Sequence, residues 1–306
     1  MSQLAALLSS PNSAMQTVTD RVSKIRDMVL PGNAFRGSDR IAYVQPDGPL
    51  QTLPFSVLTD DRLTVVKVAS LVPRALRKHG TSGAQSLVVA YSNPNSQADT
   101  LMASTRSGAS DLSPLPFVHL EVDALRERLN PKQTTYYLED KATRSALINS
   151  ANKRFGVVHI AAHALANPAM PGLSWIQLAD GKLLSAEIEQ SNLAADLVLL
   201  SACETALGQN VSREGIFGLT RSFMVAGAEN VIASLWQVSD RATAALFSDF
   251  YRHYESEGIS AAEALRLAQR EVRGNDKWRH PYYWGGFELW HAMPVSGDLF
   301  DNKQNR

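Results

Sequence analysis

The chain has 306 residues, with 30 Lys plus Arg, 30 Asp plus Glu and a single cysteine. The balanced charge offers no field that would recruit nucleic acid or an anionic membrane, so we expect neither as a direct partner. A single cysteine excludes an internal disulfide and a cysteine-rich zinc site, and we expect no cofactor. The sequence shows no apolar stretch typical of a membrane span and no secretion signal, so a reducing, cytoplasmic location is expected.

The first part of the chain predicts a helix followed by short strands. Apolar residues recur at helical spacing over 14–30, and Pro31-Gly32 ends the pattern. Residues 41–44 read as a strand that enters a turn sequence, and 50–58 carry the chain back, which predicts a hairpin at a sheet edge. Residues 92–114 are polar and aperiodic, so we expect a mobile loop and an internal boundary there.

The remainder alternates between strands and helices, which predicts one mostly parallel α/β sheet. Asp240 is placed as the N-cap of a helix, and Ser260 with Glu263 forms a capping box before another. The predicted strands are 86–91, 134–138, 155–162, 197–202, 231–236 and 282–291; the predicted helices are 121–129, a short one capped by Thr143, 215–226, one beginning at Asp240, and 260–272.

Two continuous apolar runs each end in a residue with catalytic chemistry. One run ends in His163 and the other in Cys203, the sole cysteine. Unbroken apolar runs are typical of buried parallel strands, whose carboxyl ends carry functional groups in α/β sheets. If the two strands are neighbours, their ends lie roughly 5 Å apart. A thiol and an imidazole at that separation are a nucleophile with its general base.

His159 competes with His163 for the role of base, and the two could also suggest a metal pair. In a strand their Cα atoms would be about 13 Å apart, too far to share a zinc ion. We therefore interpret His159 as a core histidine and His163 as the residue that can reach a thiol. For Cys203 the alternative is a small buried hydrophobic residue, which is what a free cysteine usually is.

Three motifs together resemble the CHAT domain, a caspase- and separase-like cysteine peptidase family often found beside tetratricopeptide repeats. They are Val-His-Ile-Ala-Ala-His at 158–163, Leu-Ser-Ala-Cys-Glu-Thr-Ala-Leu-Gly at 200–208 and Ala-Ser-Leu-Trp-Gln-Val-Ser-Asp at 233–240, with weaker matches at 44–55 and 282–287.

The resemblance implies a caspase-like three-layer sandwich with a central, mostly parallel sheet between helices. It divides the chain into a helical lead-in (1–40), an N-terminal pseudo-caspase-like part (41–130), a catalytic part (131–295) and a polar tail (296–306).

The resemblance also implies a His163/Cys203 dyad that hydrolyses peptide bonds. The backbone amides of Ala164 and Cys203 would form the oxyanion hole. The family usually has glycine after this histidine, whereas here the residue is Ala164, which keeps the N–H donor but has less backbone freedom. No third catalytic residue is assigned.

Two acidic residues are candidates for substrate recognition. The separase resemblance suggests that Asp240 receives a basic substrate side chain, although the N-cap role explains this residue without any function and is the interpretation we favour. Glu204 would be a second acidic wall or a solvated residue. If either lines the pocket, Arg or Lys before the cleaved bond is expected.

The leading hypothesis is a cysteine endopeptidase with a specific protein substrate and a protein activator, acting as an effector in bacterial signalling, defence or cell death. The alternative is a catalytically silent interaction module with the same fold, suggested by Ala164. Trp236, Trp284 and Phe287 are interpreted as core aromatics without a catalytic role.

Overall fold

The computed structural model describes residues 2–30, 41–59, 63–69, 85–92, 115, 117–150, 153–167, 170–201, 214–236, 238–256 and 258–292; the side chains of residues 214–217 are not described. Its centre is an eight-stranded sheet. The strands of this sheet are β1 (Ile41–Val44), β2 (Thr64–Ala69), β3 (Gln85–Ala90), β4 (Thr134–Leu138), β5 (Arg154–Ala161), β9 (Ala194–Leu200), β10 (Ala228–Ser234) and β11 (Phe287–Ala292).

The sheet is mostly parallel, with spatial order β1-β2-β11-β10-β9-β5-β3-β4. Strands β10, β9, β5, β3 and β4 run in one direction, and the β10–β11 pair is antiparallel. Strands β11, β2 and β1 are parallel to one another. The predicted α/β class and parallel sheet are therefore confirmed.

Helices cover both faces of the sheet. One face carries α1 (Ser2–Leu8), α2 (Met15–Val29), α3 (Phe55–Leu58), α4 (Val118–Arg128), α8 (Asp240–Tyr254) and α9 (Ala261–Gly274). The other carries α5 (Arg144–Asn149), α6 (Ser185–Gln190) and α7 (Glu214–Ala226), with a small second sheet of β6 (Ala164–Leu165), β7 (Trp175–Leu178) and β8 (Gly181–Leu184).

Side chains along each central strand alternate between these two cores. In β5, Val157 lies in the first core whereas Val158 and Ile160 lie in the second. Because both faces are buried, the strand sequences are continuously apolar, which is why they could be predicted. The structure is a three-layer sandwich.

The predicted hairpin at 41–58 is wrong. The turn itself forms, since Asp47 accepts a hydrogen bond from the Gly48 amide at 2.7 Å. The chain then continues as a short 3-10 helix and as α3, where Phe55 and Leu58 are buried, and β1 pairs in parallel with β2 instead. Phe55 and Leu58 are three residues apart, the spacing of one helical face, so the segment buries them without returning as a strand.

The predicted N-cap role of Asp240 is also wrong. Ser239 occupies the N-cap position, and Asp240 is the first residue of α8. A carboxylate in the first turn still interacts favourably with the helix dipole. Two other caps are confirmed, because the side chains of Thr143 and Ser260 accept hydrogen bonds from backbone amides at the starts of α5 and α9.

Residues 93–114, predicted as a mobile loop, lie outside the described residues. Within the part of the chain that is described, no helix combines the length and apolarity needed to cross a membrane.

Candidate catalytic site

The two strands that precede His163 and Cys203 are neighbours in the sheet and run in parallel. Strand β5 pairs with β9 in a register that places Ile160 beside Leu200. The pairing continues past the end of β9, where the Ser201 amide donates to the Ile160 carbonyl at 2.9 Å. The adjacency predicted from the sequence is therefore confirmed. Both chains leave the sheet at the same edge.

His163 follows the end of β5 and lies in a buried setting, with 1% of its surface exposed. Its carbonyl accepts a hydrogen bond from the Gln177 amide at 2.7 Å, which ties this residue to β7 of the small sheet. The flanking Ala162 and Ala164 are buried as well. The main chain at the candidate base is thus held from two sides, by β5 and by β7.

The backbone of Ala164 is oriented by the same small sheet. Ala164 lies opposite Ile176 in the antiparallel β6–β7 pair. Hydrogen-bonded and non-hydrogen-bonded pairs alternate along such a ladder. Because the preceding pair, His163 with Gln177, is hydrogen-bonded, the Ala164 N–H faces away from β7. A donor that faces away from its partner strand is what an oxyanion hole requires.

His159 is a core histidine, as predicted. It is fully buried within β5. Its Nδ1 lies 3.0 Å from the Tyr251 hydroxyl on α8, and its Nε2 lies 2.7 Å from Oε1 of Glu121 on α4, a close electrostatic contact that lacks the alignment of a straight hydrogen bond. Among the described residues, no group of three or more His, Cys, Asp or Glu side chains could hold a metal ion.

Glu121 and Ser201 are site residues that the sequence interpretation missed. Oε2 of Glu121 accepts a hydrogen bond from the Ser201 hydroxyl at 2.6 Å. A signal was present: Val118, Val122 and Leu125 form the buried face of α4, and Glu121 lies on that same face. A carboxylate on an apolar helix face is rarely buried without a partner.

The proton positions in this buried cluster follow from the environment of Tyr251. Burial raises the pKa of Tyr251 well above its ordinary value, and the charge of Glu121 raises it further. The phenol therefore keeps its proton and donates to Nδ1 of His159. The ring proton of His159 then sits on Nε2, facing the Glu121 carboxylate, which also accepts the Ser201 hydroxyl.

Asp240 lies at the carboxyl end of β10, near two aromatic residues. The Trp236 indole donates to the Tyr282 carbonyl at 3.0 Å. Burial raises the pKa of Tyr282, with further contributions from the charges of Tyr283 and Asp240. Asp240 is half-buried and close enough to Tyr282 to act on it electrostatically. Trp236, Trp284 and Phe287 are buried, which confirms them as core aromatics.

Cys203 and Glu204 lie outside the described residues, so the dyad, the Cys203 amide and the second acidic wall remain predictions. The structure brings together the ends of the two strands that carry the dyad, with His163 and Ala164 in place.

Similarity to known proteins is strongest at the level of the family. A curated relative, mouse tetratricopeptide repeat protein 28, is 34% identical over 107 residues, which is 35% of this chain and 4% of that protein. The chain thus spans a small fraction of that relative.

Among solved structures, the Arg-specific cysteine proteinase gingipain R of Porphyromonas gingivalis superposes with a TM-score of 0.53 at 10% identity, covering 93% of this chain and 68% of that one. The likeness shows a shared caspase-like fold. Saccharomyces cerevisiae separase in complex with securin gives a TM-score of 0.46 at 11% identity, covering 79% and 15% of the respective chains. The sequence profile of the CHAT domain matches residues 24–293. The chain therefore belongs to the CHAT domain family.

Proposed function

We propose that this chain is a cysteine endopeptidase in which Cys203 is the nucleophile and His163 the general base. The observation that carries the proposal is the parallel pairing of β5 with β9, which delivers the chain at His163 and the chain leading to Cys203 to one edge of the sheet. Membership of a family with a caspase-like cysteine-peptidase fold supports it.

The proposed reaction is acyl transfer to the thiol. His163 takes the Cys203 proton, and the thiolate attacks the carbonyl carbon of the scissile peptide bond. The amides of Ala164 and Cys203 hold the resulting oxyanion. His163 then gives its proton to the leaving amine, and the C–N bond breaks. Water attacks the thioester, releases the acid product and restores the thiol.

The partners in this proposal are a protein substrate and a protein activator. Asp240 and Glu204 would supply negative charge to the specificity pocket, which favours Arg or Lys before the cleaved bond. The half-buried position of Asp240 at the end of β10 is compatible with that role.

A non-catalytic interaction module is the competing hypothesis. The burial of His163, at 1% exposure, favours it, because a base must be reached by substrate. An activator that opens this edge of the sheet would reconcile the same burial with catalysis.

The test is the pH dependence of iodoacetamide alkylation, which reports on one site because the chain has a single cysteine. In a competent dyad the Cys203 thiolate is stabilised by the His163 imidazolium, so its pKa should lie below the ordinary thiol value of about 8.5. His163→Ala should move the profile to higher pH. An ordinary thiol profile in both proteins would contradict the proposal.

Proteolysis is then read directly by mapping new protein N-termini in cell lysate. We expect termini that appear with the wild type and are absent with Cys203→Ala. The residue before each cut tests the charge of the pocket: Asp240→Asn should weaken cleavage after Arg and Lys, whereas an unchanged pattern would remove Asp240 from the pocket.

A further inference from the structure

A buried polar chain connects the two strand ends of the candidate site to one helix. It runs from the Tyr251 hydroxyl to His159, from His159 to Glu121 and from Glu121 to the Ser201 hydroxyl, over distances of 3.0, 2.7 and 2.6 Å. Tyr251, His159 and Glu121 are almost completely inaccessible to solvent. A carboxylate in such a setting is strongly constrained, because losing either partner would leave a buried charge unpaired.

The position of the chain in the fold suggests its role. His159 lies four residues before His163 on β5, and Ser201 lies two residues before Cys203 just after β9. Glu121, on α4, therefore contacts both strands close to the ends that deliver the dyad. Its two carboxylate oxygens accept from one strand each, so the carboxylate fixes one strand end relative to the other.

We propose that Glu121 and Ser201 are positioning residues: through the Ser201 hydroxyl, Glu121 anchors the segment that leads to Cys203 against the strand that leads to His163. The inference rests on the proposed function for its catalytic consequence, whereas the anchoring itself is a property of the described residues. Hydrogen bonds to an ionised, buried carboxylate are among the stronger ones in proteins.

Ser201→Ala tests the anchor because it removes a single hydroxyl and leaves the contact between His159 and Glu121 intact. A matched control exists in Ser56→Ala. The Ser56 hydroxyl also donates to a buried glutamate, Glu288, at 3.0 Å, but on β11, three strands away from β5. Ser201→Thr keeps the hydroxyl and serves as the rescue variant.

Two measurements are made on each protein. The first is amide hydrogen exchange of the peptide 197–205, which does not depend on turnover. Ser201→Ala should speed exchange at 201–203 by about tenfold, the factor to which one net hydrogen bond corresponds. The second is kcat/KM at the cleavage sites mapped for the wild type, which should fall on the order of tenfold to a hundredfold through misplacement of the nucleophile. Ser56→Ala should change neither by more than about twofold, and Ser201→Thr should restore both.

The outcomes separate this inference from the proposed function. Unchanged exchange in Ser201→Ala overturns the anchor. Faster exchange with wild-type turnover overturns the positioning role and leaves the peptidase standing. Faster exchange in a protein whose Cys203 alkylates as an ordinary thiol supports the anchor and contradicts the peptidase.

Discussion

His159 and His163 have the same side chain but very different surroundings. The His159 ring is contacted at both nitrogens and packs edge-on against Phe247, with ring centroids 5.4 Å apart. His163 follows the end of the strand, where the small sheet begins and where the chain leading to Cys203 leaves the neighbouring strand. Position in the strand decides the role of each histidine. The base is expected at the strand end, and the core histidine holds that end in place.

A third buried histidine, His280, predicts how stability depends on pH. Its Nδ1 accepts a hydrogen bond from the Tyr282 amide at 3.1 Å, which requires the neutral ring nitrogen. Burial lowers the pKa of His280 below its ordinary value, opposed by the backbone of Ser13. The unfolded chain therefore binds this proton more tightly than the folded one. The stabilisation is present above the unfolded pKa and is lost as the pH falls toward the folded pKa.

His280→Asn should reduce this loss, because asparagine keeps a cap acceptor and does not titrate. The measurement is the free energy of unfolding in urea between pH 8 and pH 5 for both proteins. We expect the wild type to lose more stability than the variant over that range. His119→Asn, at an exposed position of α4, controls for the removal of an imidazole. Parallel pH curves for wild type and His280→Asn would contradict the argument.

The turn before β11 explains why two glycines occur in succession in the motif at 282–287. A Cβ at Gly285 would lie 2.4 Å from a methyl group of Val57. A Cβ at Gly286 would lie 2.7 Å from the Ser234 hydroxyl oxygen and 3.0 Å from the Trp236 ring. Strand β11 can therefore approach β10 closely only without side chains at this turn, and the end of β10 is where Asp240 follows.

Gly286→Ala should displace Trp236 and destabilise the protein by about 1–3 kcal/mol, the usual cost of overpacking. Chemical unfolding gives the loss, and a shift in tryptophan fluorescence of the native state reports the local change. Gly274→Ala is the matched control, because a Cβ at that position meets nothing within 4 Å. Equal stability of both variants would show that the turn yields without cost.

At this scale, the elements predicted well are those whose pattern is local. Strands β5, β9 and β10 are buried on both faces, so composition alone marks them. The 41–58 segment was misread because a turn sequence does not specify whether the chain returns as a strand or, as here, buries Phe55 and Leu58 in a helix. Glu121 contacts residues 38 and 80 positions away, and no local pattern encodes such contacts. Only the unexpected carboxylate on an apolar face hinted at them.

Over the whole molecule, the central sheet is assembled from both halves of the sequence. Strand β3 pairs with β5 on one side and β4 on the other, and β2 pairs with β11. Strands from residues 41–130 thus alternate in space with strands from 131–295. The functional division into a pseudo-caspase-like and a catalytic part stays a prediction, but the two parts share one sheet and both of its cores.

This interlocking predicts that residues 131–306 do not fold alone. Without the preceding segment, β5 and β11 become open edges with unpaired backbone groups, and the residues of β5 that pack against β3 are exposed to water. We expect the fragment to be aggregated, with no cooperative thermal transition by circular dichroism. Co-expression with residues 1–130 should restore a soluble complex that unfolds cooperatively, since the missing strands can pair from a separate chain. A soluble, cooperatively unfolding fragment 131–306 would mean that the pairs with β2 and β3 contribute little. Alkylation of Cys203 in that fragment would then show whether the candidate site needs the first half at all.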